Sequence, residues 1–118
     1  MTGDAADAMD AVTENPLQER AGEVAELLKT LANRHRLMLV CTLVEGEFSV
    51  GELEQRLGIH QPTLSQQLTV LRRAGIVRTR RLSKRIFYRL TGTKAADLVG
   101  ALHAIFCADI AKGAEAVR

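Results

Sequence analysis

Apolar positions along the chain change their period twice. Val24, Leu27, Leu28 and Leu31 recur at helical spacing and predict a first helix near residues 17–32, opened by Asn15-Pro16. Asn33 interrupts the pattern and is placed to cap a second helix carrying Leu37, Met38, Val40, Cys41 and Val44, which ends at Gly46. Ser49 precedes Glu52 by three residues, a spacing that lets hydroxyl and carboxylate each accept an orphan backbone N–H, so a third helix is expected over 50–57, stopped by Gly58. Pro62 opens a fourth, whose buried stripe is Leu64, Leu68 and Leu71 and whose end is Gly75. The period then shortens. Ile76–Arg81 and Arg85–Leu90 are β-prone runs on either side of Leu82-Ser83-Lys84 and read as a hairpin. Leu98, Val99, Leu102, Ile105, Phe106 and Ile110 restore helical spacing over 94–112.

Two short helices joined by a tight Gly-containing turn make a helix-turn-helix, and a basic hairpin directly after it makes a wing. The expected fold is therefore mostly α with a β-hairpin wing, a winged helix-turn-helix. Residues 1–15 are expected to be a flexible acidic tail and 16–115 the single folded domain, as the length of 118 residues favours. The last helix is too apolar to be covered by one small domain, so part of it is expected to pack against a second subunit.

Composition sharpens this only in places. Aromatic residues make up 3% and Trp is absent, so the core must be aliphatic. No apolar run approaches the ~20 residues that cross a bilayer, and the acidic N-terminus lacks the basic start of a signal peptide. A cytoplasmic protein with no membrane partner is expected. Two cysteines, Cys41 and Cys107, are no disulfide framework in a reducing compartment; they are inert core residues or sensors. No nucleophile–base set, phosphate loop or paired catalytic carboxylates stand out, so neither an enzyme nor a bound cofactor is expected.

Net charge of +2 says little, but its distribution says more. Residues 1–19 hold Asp4, Asp7, Asp10, Glu14 and Glu19 with no Lys or Arg. Residues 55–96 hold no acid and the basic residues Arg56, Arg72, Arg73, Arg78, Arg80, Arg81, Lys84, Arg85, Arg89 and Lys94. A one-sign block of that length suits a polyanion; the plain alternative is a solvated basic face. Opposite its Leu stripe, the fourth helix presents Gln61, Thr63, Ser65, Gln66, Gln67, Thr69 and Arg72. Gln pairs bidentately with adenine, and Ser and Thr reach several base edges, so Thr63, Ser65, Gln66 and Gln67, near the helix N-terminus, are the expected major-groove readers. Arg72, Arg73, Lys84 and Arg85 are expected to grip phosphates, which position without specifying. His60 is near enough to reach a phosphate but reads first as a turn residue.

The segments LANRHRLMLV, GELEQRLGIHQPTLSQQLTVLRRAGIV and FYRL resemble the ArsR/SmtB family of bacterial winged-helix repressors, and the resemblance runs from about Ala21 to Phe106. It implies an obligate homodimer built on the first and last helices, an inverted-repeat DNA operator, and release of DNA when an inducer binds. The wing lacks the Gly often found at its tip.

Members of that family differ mainly in inducer. Arsenic- and cadmium-type members carry a Cys pair in the third helix, where this chain has Ser49–Glu54 and no Cys. Zinc-type members carry Asp and His ligands along the last helix, where this chain has Asp97, His103 and Asp109 at other separations. A metal site is not expected, although a metal-responsive repressor of the same fold stays open as an alternative. One Cys in the second helix and one in the last resembles the sulfide- and persulfide-responsive subgroup (SqrR/BigR-like). That resemblance implies that Cys41 and Cys107 are a sensing pair, joined by a disulfide or polysulfide when an organic persulfide or related reactive sulfur species arrives. His103, one turn before Cys107, is placed to favour a thiolate. The competing readings are a constitutive DNA-binding module with inert cysteines, since a buried Cys is often just a small hydrophobe, and a His103 that is an ordinary exposed or dimer-contact residue.

Overall fold

The computed structural model describes residues 15–117, with side chains to Ala108. The expected acidic tail, residues 1–15, therefore lies outside the described residues except for Asn15. The elements in order are α1 (Pro16–Glu19), α2 (Ala21–Leu31), α3 (Arg34–Leu43), β1 (Phe48–Ser49), α4 (Val50–Leu57), α5 (Thr63–Arg73), β2 (Val77–Leu82), β3 (Arg85–Leu90) and α6 (Lys94–Val117).

Local chemistry accounts for most boundaries. Asn15 and Asn33 cap α1 and α3 through their side chains. Ser49 and Glu52 form the expected capping box at α4, with Ser49 N donating to Glu52 Oε1 at 2.7 Å and Glu52 N donating to Ser49 Oγ at 3.2 Å. Gly58, at φ 67°, ends α4 in the left-handed region, which glycine enters without the penalty an L side chain meets. Several boundaries differ from expectation: α3 stops at Leu43 rather than Gly46, and α6 runs to Val117 rather than 112. The first helix is broken at Arg20 (φ −112°, ψ 14°) into α1 and α2; α1 buries no side chain, so no packing holds its turn in line with the next. Pro62 stands just before α5 as its cap rather than inside it.

Leu39 and Val40 of α3, Leu53 of α4 and Leu64, Leu68 and Leu71 of α5 are at most 1% exposed, and they form the centre of an aliphatic core closed by Leu31, Leu43, Ile59, Ile76, Val77, Ala95 and Val99. Helix α3 lies at its heart and packs against α2, α4, α5, α6 and β3. The stripe read from the fourth helix is thus the buried one.

The wing is larger than the hairpin the sequence suggests. β1 pairs with β3 (Phe48 opposite Tyr88, Ser49 opposite Phe87), giving an antiparallel sheet of order β1-β3-β2. β2 and β3 pair from Val77 opposite Leu90 to Leu82 opposite Arg85, leaving a two-residue turn, Ser83-Lys84. Ser83 takes φ 60°, a position that glycine fills more readily. Ser83→Gly should therefore be stabilising. Relief of the left-handed penalty, about 1–2 kcal/mol, exceeds the added chain entropy of glycine, about 0.5–1 kcal/mol. A net gain of about 0.5 kcal/mol in urea unfolding is the expected result, and a loss would show that the Ser83 side chain holds the turn.

On α6, Ala95 and Val99 are buried, while Ile105 and Phe106 are 59% and 62% exposed in the single chain. Among the described residues no helix is long and apolar enough to cross a membrane.

Candidate nucleic-acid interface and thiol pair

Helices α4 and α5, with the turn between them, set the exposed face of α5 beside the wing. Ser65 and Gln66 are exposed, and Thr63 and Gln67 are half-buried. Gln61 lies before the helix and acts on its first turn: its Oε1 accepts from Ser65 N at 3.2 Å and from Ser65 Oγ at 2.6 Å. Gln67 is also held. Arg36 of α3 donates from Nη1 to Gln67 Oε1 at 2.7 Å and from Nε to the Thr30 carbonyl at 2.6 Å.

The acid-free stretch is not free of acids in space. Arg56 pairs with Glu45 at 2.8 Å, Arg80 with Glu47 at 2.8 Å, Arg85 with Glu52 at 3.8 Å and Lys94 with Glu23 at 2.6 Å. Arg85 also donates to Ser49 Oγ at 3.0 Å, and Arg80 and Arg85 stack over the Phe87 ring at 4.9 and 5.0 Å. Of the four residues read as phosphate grips, Arg85 thus has partners already, whereas Arg72, Arg73 and Lys84 are exposed and make no ion pair among the described residues. Arg78, Arg81 and Arg89 join them. Arg78 and Arg89 face each other across the β2–β3 ladder, a like-charge pair that an anion would relieve. His60 is exposed, its Nδ1 3.4 Å from Glu54.

Three of these carboxyls, Glu23, Glu47 and Glu52, stay ionised to lower pH than usual. The Arg80 guanidinium holds Glu47 down, and Glu47 in return raises Arg80. The backbone N–H of Ser49 lowers Glu52, and Lys94, then Arg20, lower Glu23. The wing pairs therefore persist above the ordinary carboxylate range and are lost only as pH falls through these lowered values.

With six unpaired cations in the acid-free block, Arg72, Arg73, Arg78, Arg81, Lys84 and Arg89, DNA binding should be strongly salt-dependent. Six phosphate contacts in a dimer correspond to a slope of about −5 in log affinity against log salt. A titration from 50 to 200 mM salt giving a slope shallower than about −2 would rule out this basic face as the interface.

The two cysteines lie on α3 and α6, which pack together. Both are half-buried and unbridged. Burial pushes the Cys41 thiol above its ordinary range, and the neighbouring Cys107 pushes it further. Burial thus disfavours the Cys41 thiolate. Its helical neighbours Met38 and Val44 are 44% and 48% exposed, so the shelter comes from the core side alone. His103 and Ala104 are exposed beside Cys107, whereas the side chains of Asp109, Ile110 and Ala111 lie outside the described residues. Among the described residues, no three His, Cys, Asp or Glu side chains come together as a metal ion would need.

The sequence left Arg36, Glu47 and Phe87 unmarked as contributors to this region. Arg36 and Glu47 reach residues 31 and 33 positions away, and no local pattern announces such a pair.

Residues 33–79 match the arsR family of bacterial regulatory proteins. The biofilm growth-associated repressor of Xylella fastidiosa strain 9a5c is 70% identical over 97 residues, which is 82% of this chain and 85% of that one. The crystal structure of the transcriptional repressor BigR from Xylella fastidiosa superposes with a TM-score of 0.76 at 72% identity, over 77% of this chain and 93% of that one. Reduced HlyU from Vibrio cholerae gives 0.72 at 40%, over 77% and 96%. The solution structure of a homodimeric winged helix-turn-helix DNA-binding domain from Mycobacterium bovis gives 0.65 at 29%, over 78% and 86%.

Proposed function

Because this chain belongs to the arsR family of bacterial regulatory proteins, we propose that it is a homodimeric transcriptional repressor that releases an inverted-repeat operator when a reactive sulfur species links Cys41 to Cys107. The observation that carries the sulfur half is the placing of two unbridged thiols on packed helices, near enough for one to perturb the other.

The chemistry balances with an organic persulfide as the oxidant. One cysteine thiolate takes the outer sulfur of RSSH, giving a cysteine persulfide and RSH. The second thiolate attacks the cysteine-bound sulfur and expels hydrosulfide, closing a disulfide. If both cysteines are first persulfidated, their condensation expels one hydrogen sulfide and leaves a trisulfide. Burial disfavours the Cys41 thiolate, so the first attack is assigned to Cys107, and Cys41 reacts once a sulfur is held beside it.

Dimerisation follows from uncovered apolar surface on the first and last helices. Leu17 and Leu28 are 55% and 50% exposed, as are Ile105 and Phe106 further along the chain. A groove of about 1000 Å³ lined by Val24, Leu27, Leu28 and Leu98 runs between α2 and α6. A second copy covering these helices brings two α5 helices to one DNA duplex, and its half-sites lie about one helical turn apart.

The test begins with the reduced protein selecting a binding site from randomised DNA. Release of the selected fragment by an organic persulfide, and retention by the Cys107→Ser variant, is the expected pattern. Release from both proteins, or from neither, would refute the thiol switch while leaving the DNA-binding assignment intact.

A further inference from the structure

Arg36 occupies an unusual position between three helices. It is the third residue of α3, half-buried, and its own N–H donates to the Asn33 cap at 3.1 Å. Its guanidinium then divides. Nε satisfies the carbonyl of Thr30 near the end of α2, an acceptor left without a helical donor there, and Nη1 reaches across to Gln67 on α5. Arginine carries donors only, so the Gln67 atom that meets it must be the carbonyl oxygen, and the amide nitrogen is the part left over. The contact is short, at 2.7 Å, charge-assisted and partly withdrawn from water.

That assignment changes what Gln67 can read. Recognition of adenine by glutamine uses both ends of the amide: the oxygen accepts from N6 and the nitrogen donates to N7. An amide oxygen can accept twice, but one pinned to a part-buried guanidinium of another helix cannot swing with its nitrogen to meet both edges of one adenine, so the nitrogen is the end left free to donate. Every base pair offers the major groove at least one acceptor, so a donor alone separates A·T from G·C weakly. We propose that Arg36 is a specificity-determining positioning residue: by holding the carbonyl of Gln67, it locks that side chain as a hydrogen-bond donor and keeps the recognition helix tolerant at the base pair Gln67 faces. The inference rests on the DNA-binding part of the proposed function and is independent of the cysteines.

Release of the lock should therefore sharpen recognition at one place. Freed from Arg36, the Gln67 amide can turn both ends to the groove, and a bidentate contact with adenine discriminates by about tenfold or more. The experiment selects sites from randomised DNA with the reduced full-length chain, with Arg36→Met and with Arg36→Met/Gln67→Met. Arg36→Met is expected to acquire about a tenfold preference for A·T over G·C at one base pair in each half-site. The native chain should show little preference there, and the double variant should lose the new one. A residue that only supports the fold would weaken binding to all sites alike. The proposal is overturned if Arg36→Met shows no new preference, or if the preference survives loss of Gln67. Should Arg36→Met fail to fold, Arg36→Gln gives the same comparison, since it keeps a donor for Thr30 but is too short to bridge to Gln67 as well. A native chain that selects no DNA site would instead refute the function on which the inference stands.

Discussion

Replacement of Leu39 by Ala is expected to lower the free energy of unfolding by about 3–5 kcal/mol, the upper part of the range for a buried leucine. Leu39 is fully buried in the middle of α3, the helix that touches every other long helix and the wing. A cavity there has rigid walls on all sides, so the site cannot collapse to fill it, and the loss exceeds the transfer free energy of the missing methyl groups. Domains of this kind have about 5–15 kcal/mol in all, so the variant should be near its midpoint at moderate temperature. Leu39→Met, which nearly conserves volume, should cost less than about 1.5 kcal/mol. Urea unfolding at one fixed protein concentration measures both, because a dimer gains apparent stability by mass action. Equal costs for the two variants would mean that the interior around α3 adapts.

The second large effect is on induction. Persulfide treatment of the native chain is expected to weaken operator binding by about a hundredfold or more, the upper part of the range for coupling between distinct sites. Cys107→Ser should bind the operator within about twofold of native when both are reduced, because an exchange of sulfur for oxygen on α6 touches no DNA contact. It should then ignore the donor, because Cys41, whose thiolate burial disfavours, is left with no second thiol with which to close the link. Cys41→Ser is informative in a different way. It leaves Cys107 able to take up a sulfur but with nothing to close upon, so mass spectrometry should find a persulfide on Cys107 while DNA stays bound. Release of DNA from Cys41→Ser would show that sulfur addition suffices and that the link between helices is not the switch.

The recognition unit was legible in the sequence because its determinants are local. Leu64, Leu68 and Leu71 recur on one helical face, Ser49 and Glu52 are three residues apart, and Gly58 marks the helix end, so each can be recognised within a turn or two. The break at Arg20 was hidden, since apolar spacing there is compatible with an unbroken helix. β1 was hidden for another reason. Phe48 and Ser49 are strand only because Tyr88 and Phe87 lie beside them, and a two-residue strand has no period of its own. The thiols could be named from their places on two helices that a winged helix fold packs together, but not the burial that raises Cys41, which depends on how α3 meets α6. Likewise the basic block was visible as a run of charges, yet Glu23, Glu45, Glu47 and Glu52, which neutralise four of its ten members, come from outside it. The roles of Gln61 and Gln67 as helix-capping and anchored groups also required knowing what reaches them.

Those four internal partners bear on how such a protein finds one site in a genome. A chromosome offers about a million or more competing sequences, and grip on each of them comes from phosphate contacts alone. Every guanidinium already matched by a carboxylate contributes little to that indiscriminate grip, so residence on the wrong sequence is shortened while contacts from the bases are untouched. On the proposed DNA-binding role, the Glu47–Arg80 and Glu52–Arg85 pairs would trade strength of attachment for turnover between trial sites.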